Sequence, residues 1–207
     1  MIGAFLAATL AASACTAAQD AATPGEPACE PAAMNWRAMA TEDDRRRLRE
    51  WRDAWEAAMD DAQAAHGADI AGEGALFDPD AALRDPTPPP GDYHCRMIKV
   101  GTPSDSDLTY VAYPPFRCRI RADGDGLTFT KLDGSQRPIG RLFTDNDRRL
   151  IFLGTLQLGD ETRAYHYGID QERDVAGILE RVGERRWRLA FPYPHFESLL
   201  DVIELTP

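Results

Sequence analysis

From residue 91 to the C terminus, the chain is a succession of short apolar segments separated by turn residues. These segments recur about every 8 to 12 residues. No amphipathic helical stretch interrupts them, so the crossover helices that a parallel sheet needs are missing. We therefore expect antiparallel strands joined by hairpins. The predicted strands are Tyr93–Val100, Leu108–Tyr113, Phe116–Arg121, Leu127–Leu132, Arg137–Phe143, Leu150–Leu156, Ala164–Ile169, Val175–Val182, Arg186–Phe191 and Leu199–Leu205.

Alternation is clear in places and favours strands. Trp187, Leu189 and Phe191, for example, alternate with Arg186, Arg188 and Ala190. The sequence thus predicts a mainly β protein with N-terminal helices, in the α+β class. Its core would be an antiparallel, lipocalin-like barrel or a sandwich of about eight to ten strands, preceded by one long and one short helix.

Two helices are expected ahead of the β domain. Thr41, with Asp44 three residues later, is a capping signal, and apolar residues then recur at helical spacing as far as Gly67, where we expect the helix to end. Asp78 and Pro79 have the pattern of the start of a short second helix. The proline-rich sequence RDPTPPPG that follows is typical of a stiff linker.

The first residues have the features of an export signal. An apolar run over residues 2–12 is too short to span a bilayer, and small residues precede Cys15 as they do at a lipoprotein cleavage site. We expect Cys15 to be lipidated, and the protein to be exported to the periplasm and anchored to the outer membrane through that lipid alone. The predicted organisation is a signal peptide over 1–14, a disordered tether over 15–33, a helical segment with its proline-rich linker over 34–90 and an antiparallel β domain over 91–207.

The charge of the chain bears on its partners. A net charge of −11 argues against binding nucleic acid, which needs a basic face to neutralise phosphates. Among the 23 basic residues, Lys99 and Lys131 are the two lysines and the others are arginines, a preference that a GC-rich genome accounts for. The expected partner is a protein or a small ligand of the cell envelope.

Cys95 and Cys118 each lie in the middle of a predicted strand. Because an exported chain meets an oxidising compartment, we expect them to form a disulfide. A metal site and a catalytic thiol are the alternatives. However, the chain has no CxxC spacing, and His94 points to the face opposite Cys95. Cys29 remains without an expected partner within the chain.

The turn sequence KLDGSQR is the richest polar cluster. It contains Lys131, Asp133, Gln136 and Arg137, which together with His166 are the candidate ligand-binding residues. The alternative is a solvated hairpin, because turns are polar for conformational reasons first. No metal site or cofactor is expected, and no catalytic residue is assigned, since the motifs GxSxG, HExxH and GxGxxG and the P-loop are all missing from the chain.

A hydrolase-like enzyme is the competing function. Its site would use His166 and the carboxylates near Asp170, which could perform acid–base chemistry. Convergence of these two residues with Lys131 in one cleft would favour catalysis. An apolar lumen would favour a small ligand, and a filled lumen would favour a protein partner.

Several segments carry a resemblance to a known family. The sequences PPPGDYHCRMIKVG, PFRCRI, KLDGSQRPIGRLF, RDVAGILERVG and RWRLAFPYP resemble a family of uncharacterised exported proteins of Gram-negative bacteria, domain of unknown function (DUF) 4893, over roughly residues 34–207. The resemblance implies no activity and no catalytic residues. More distantly, a small exported barrel with one disulfide is similar to lipocalin-like bacterial metalloprotease inhibitors. The expected function is therefore a non-enzymatic binding or inhibitor-type barrel of the envelope.

Overall fold

Strands dominate the computed structural model, which describes residues 35–104, 108–124 and 126–207. Each strand is antiparallel to its neighbours, and pairing of the first strand with the last closes eight of the nine described strands into a barrel. The remaining strand, β2, extends the sheet beside the end of β1. The strands are β1 Gly91–Val100, β2 Tyr110–Ala112, β3 Phe116–Asp123, β4 Gly126–Lys131, β5 Gln136–Thr144, β6 Arg149–Leu158, β7 Asp174–Gly183, β8 Arg186–Pro192 and β9 Leu200–Thr206. The predicted mainly β, antiparallel barrel class is confirmed.

The inward-facing side chains fill the middle of the barrel. Alternate residues of each strand point into the lumen. Three aromatic rings at its centre meet edge to face, with ring centroids 5.8 Å apart for Phe129 and Phe152 and 5.7 Å apart for Phe152 and Phe191. Cys95 and Cys118 are also buried in this cluster. The barrel is therefore held together by a packed apolar core.

The proline-rich segment packs across one end of the barrel, where a groove of about 460 Å³ remains beside it. The indole nitrogen of Trp187 donates a hydrogen bond to the carbonyl oxygen of Pro86 at 2.9 Å, and the hydroxyl of Tyr93 donates to that of Pro89 at 2.6 Å. The two aromatic rings are themselves in edge contact. The segment predicted as a stiff linker thus packs as a plug across the end where β1 begins.

Three helices precede the barrel and pack on its outer surface: α1 Trp36–Met39, α2 Glu42–Arg49 and α3 Trp51–Glu73. The side chain of Thr41 accepts a hydrogen bond from the backbone N–H of Asp44, as the capping signal predicts. The predicted single helix is divided at Glu50 into α2 and α3, and it does not end at Gly67, because α3 continues past a kink to Glu73. His66 departs from helical geometry there, and contacts of His66 with Tyr110 and of Glu73 with Arg96 hold both parts of the helix against the barrel.

The predicted second helix starting at Asp78 is also wrong. A short 3-10 turn, Gly74–Leu76, ends just before it. The carbonyl oxygens of Leu76, Asp78 and Pro79 accept hydrogen bonds from the buried guanidinium of Arg188. The Asp78 carbonyl also accepts from the backbone N–H of Ala81 at 3.2 Å, so the segment forms a single turn around Arg188 in place of a helix.

The predicted strand Ala164–Ile169 is a turn-rich loop instead. The backbone N–H of Gly168 donates to both carboxylate oxygens of Asp174 at 3.0 Å, and Gly168 has a φ of 86°. The hydroxyl of Tyr167 donates to the carboxylate of Asp44 in α2. These tertiary contacts hold the segment in a conformation that cannot pair as a strand.

None of the described helices is long and apolar enough to cross a membrane. The predicted signal peptide, lipidated Cys15, tether and unpaired Cys29 lie outside the described residues.

Candidate ligand-binding site

The end of the barrel opposite the plug carries an open groove of about 380 Å³, here called the mouth groove. Five of its twelve lining residues are largely apolar: Met97, Tyr113, Pro114, Pro115 and Phe116. A second cavity of about 30 Å³, the space of roughly one water molecule, lies beside it in the top of the lumen. The two spaces share three lining residues, Met97, Lys99 and Gln136.

Both lysines of the chain lie in the mouth groove. Side chains alternate along a strand, so Lys99 has the same inward orientation as Met97, and Lys131 the same orientation as Phe129. Each lysine is the last inward-facing residue of its strand, at the end where the lumen opens. The alternation that fills the core therefore also brings two amines to its open end.

Lys99 is held by two carboxylates. Its Nζ lies 3.3 Å from Oδ2 of Asp201 and 3.2 Å from Oε2 of Glu197. Burial acts to lower the pKa of Lys99, but the two carboxylates outweigh burial and the pKa is raised. Burial also raises the pKa of Asp201, although Lys99 and the hydroxyl of Ser198, which donates to it, favour its ionised form.

Lys131 has a different environment. Its Nζ donates a hydrogen bond to the backbone carbonyl of Gln136 at 2.9 Å and lies 4.3 Å from the centroid of the Phe116 ring. Among the described residues, no carboxylate oxygen lies within 4.0 Å of this nitrogen. Burial, and then the charge of Lys99, lower the pKa of Lys131. The groove thus contains one clamped ammonium and one amine without an ion pair in the described chain.

The five predicted ligand-binding residues do not form one cluster. Lys131 and Gln136 line the mouth groove. Asp133 lies on its rim, but its carboxylate accepts hydrogen bonds from the backbone and guanidinium of Arg117. Arg137 is directed elsewhere and donates to the carbonyl oxygens at positions 159 and 161. His166 lines a separate groove.

That separate groove, of about 670 Å³, lies on the outside of β5 and β6. His166 lines it, whereas Asp170 lies 3.3 Å from the guanidinium of Arg173 in an ion pair. Lys131 lines the mouth groove instead. The convergence of His166, Asp170 and Lys131 in one cleft, which would favour a hydrolase-like site, does not occur.

The predicted disulfide is present. It joins Cys95 and Cys118 on neighbouring strands, with Cα atoms 6.0 Å apart, and both residues are buried in the lumen. In the described part of the chain, no group of three or more His, Cys, Asp or Glu side chains is arranged to hold a metal ion. The disulfide is thus part of the core and lies below the mouth groove.

Sequence reasoning missed Lys99 and Glu197, which line the mouth groove, and Asp201, which pairs with Lys99. Lys99 and Asp201 face each other in the β1–β9 register although 102 positions separate them in the sequence. One available signal was the position of both lysines, each two residues after an inward-facing apolar residue in a chain whose other basic residues are arginines.

Comparisons with known proteins identify a family without an assigned activity. No curated protein and no solved structure matches the chain significantly. A family model described as a domain of unknown function, DUF4893, matches residues 36–205, a range that runs from α1 to the end of the barrel. The chain therefore belongs to the DUF4893 family.

Proposed function

We propose that this domain is a non-enzymatic binding module of the cell envelope that takes a small organic ligand into the mouth groove. The observation that carries the proposal is Lys131, a half-buried amine that lines the groove without a carboxylate partner in the described chain. A charged or polar group in such a position is costly unless another group bonds to it. A ligand with acceptor oxygens would supply the missing partner.

The walls of the groove indicate the rest of the ligand. Phe116, Pro114 and Pro115 present apolar surface, against which a flat apolar group of a ligand can pack. The volume of about 380 Å³ falls within the range of small-molecule sites. The packed phenylalanines below leave no room deeper in the lumen for more than about one water molecule. The ligand that fits best is a small aromatic carboxylate or phosphate.

The location in the envelope is part of the same proposal. The apolar N-terminal run, with small residues before Cys15, supports export and lipid attachment. The Cys95–Cys118 disulfide supports an oxidising compartment, because such bonds are rare in the cytosol.

The test uses benzoate and phenyl phosphate as probes in thermal unfolding of the folded protein. At ten times Kd, a ligand that binds only the native state adds about 1.4 kcal/mol, which raises Tm by about 3–6 °C for a domain of this size. Lys131→Met should abolish the rise. Arg121→Met, at an exposed position on the outer face of β3, is the matched control and should retain it. An equal response from both variants, or no response of the native protein to either probe, would refute the proposal.

A further inference from the structure

We propose that Lys131 is a nucleophilic amine that captures aldehydes in the mouth groove as imines, so that the ligand class includes aromatic carbonyl compounds. This inference rests on the proposed function, because it assigns a covalent step to the same groove. It concerns binding by a reversible covalent bond and requires no turnover.

The two lysines are arranged asymmetrically. Lys99 is clamped by Asp201 and Glu197, which keep it cationic. Both amines bond to the same residue: Lys99 Nζ lies 3.4 Å from the side-chain oxygen of Gln136, and Lys131 Nζ 2.9 Å from its backbone oxygen. A fixed positive charge beside a second, desolvated amine disfavours protonation of that amine, which is a recognised way of activating a lysine.

The other surroundings of Lys131 oppose one another. Its amine lies over the face of Phe116, a contact that favours the ammonium, as do the charges of Asp201 and Asp133, whereas burial and the charge of Lys99 disfavour the ammonium and prevail. The lowered pKa of Lys131, caused by burial and by Lys99, agrees with this geometry. At neutral pH a larger fraction of Lys131 is therefore the free amine than of an ordinary lysine.

The chemistry balances without an oxidant or reductant. The lone pair of Nζ attacks the carbonyl carbon, the C=O electron pair moves to the oxygen, and a proton passes from the nitrogen to that oxygen. The resulting carbinolamine loses its hydroxyl group and the remaining N–H proton as one water molecule while the C=N bond forms, and hydrolysis by one water molecule returns amine and aldehyde. The N–H groups of Lys99 are already directed at Asp201, Glu197 and Gln136, so the step does not rely on them.

The composition of the chain makes the site selective. Every other basic residue besides the two lysines is an arginine, whose guanidinium stays protonated and does not form imines under these conditions. An aldehyde that reaches the protein therefore has two side-chain amines to choose between, and one of them is held as a cation.

The experiment uses 4-formylbenzoate, which carries both the aldehyde and the aromatic carboxylate. The folded protein is incubated with it and cyanoborohydride, which reduces the imine to a stable amine, and labelled peptides are identified by mass spectrometry. We expect one carboxybenzyl group on Lys131, formed at least tenfold faster than on Lys99. The midpoint of the pH–rate profile at Lys131 should lie below that of Nα-acetyl-lysine, because the neutral amine is the nucleophile.

Two comparisons complete the design. The alcohol 4-(hydroxymethyl)benzoate is the matched non-covalent probe, and Lys99→Gln should raise the midpoint for Lys131 by removing the neighbouring charge. If that variant does not fold, the pH–rate profile of the native protein is sufficient to test whether the amine of Lys131 is activated. A thermal shift with 4-formylbenzoate but no trapped adduct would overturn the imine and leave the proposed function standing. Absence of both shift and adduct would overturn both. Equal labelling of Lys99, or a midpoint equal to that of free lysine, would also overturn the imine.

Discussion

Replacement of Arg188 by Met is expected to destabilise the fold severely, although Arg188 lies far from the mouth groove. This guanidinium is completely buried. It donates to Oε2 of Glu180 at 2.9 and 2.7 Å, and also to the carbonyl oxygens of Ala75 and Leu76 at 3.1 and 3.2 Å. Arg188 therefore fastens the segment after α3 to the outer face of the barrel.

The magnitude follows from what the substitution leaves behind. Glu180 is 2% exposed, and its remaining basic neighbour, Arg149, lies 3.5 Å away. Removing one partner of a buried ion pair costs about 3–5 kcal/mol, because the other charge stays buried with its compensation reduced, here to Arg149. Arg188→Met should lower the free energy of unfolding by about that amount, and Tm by about 6–20 °C.

Urea denaturation of a double-mutant cycle measures this effect. Arg188→Met combined with Glu180→Met removes both charges, so the double variant should be more stable than Arg188→Met alone. It should still be less stable than the native protein, because the carbonyls at Ala75 and Leu76 lose their donor at about 1–3 kcal/mol for an unsatisfied buried group. A loss below about 1 kcal/mol for Arg188→Met, or additive losses in the double variant, would refute this account.

Two further predictions concern the cysteines. Reduction of the Cys95–Cys118 bond, which spans 23 positions, should lower the stability by about 3 kcal/mol and Tm by about 6–12 °C; thiol labelling of both residues in the unreduced protein would contradict the bond. Cys15→Ser should release the protein from the membrane fraction of its native host, because the lipid would be its sole attachment; unchanged fractionation would rule out that anchor.

The sequence predicts secondary structure well where the conformation of a segment depends on residues close to it along the chain. Alternation is enough to predict β8 as a strand, since Trp187 and Leu189 face the same core, but it does not predict that Arg188 on the other face is buried as well. The errors at Asp78 and at Ala164–Ile169 have another origin: Arg188 and Asp174 redirect the backbone there through tertiary contacts that local patterns do not contain.

The candidate site follows the same rule. The KLDGSQR turn drew attention to Lys131 and Gln136 because turns concentrate polar residues locally. Lys99 and Asp201 could not be paired in advance, because their meeting depends on the register that closes the barrel. The local sequence also does not show which lysine has a carboxylate partner. The folded barrel places Asp201 and Glu197 beside Lys99 and not beside Lys131.

The plug has a consequence for how the domain is presented to its surroundings. The indole of Trp36 donates to Asp145, in the turn between β5 and β6, at the plugged end. The C-terminal residues of β9 reach the same end, where they pair with the first half of β1. The described chain therefore begins and ends at this end of the barrel. A fusion partner joined to either terminus of the described domain would lie at the end opposite the mouth groove and would leave the groove open to solvent.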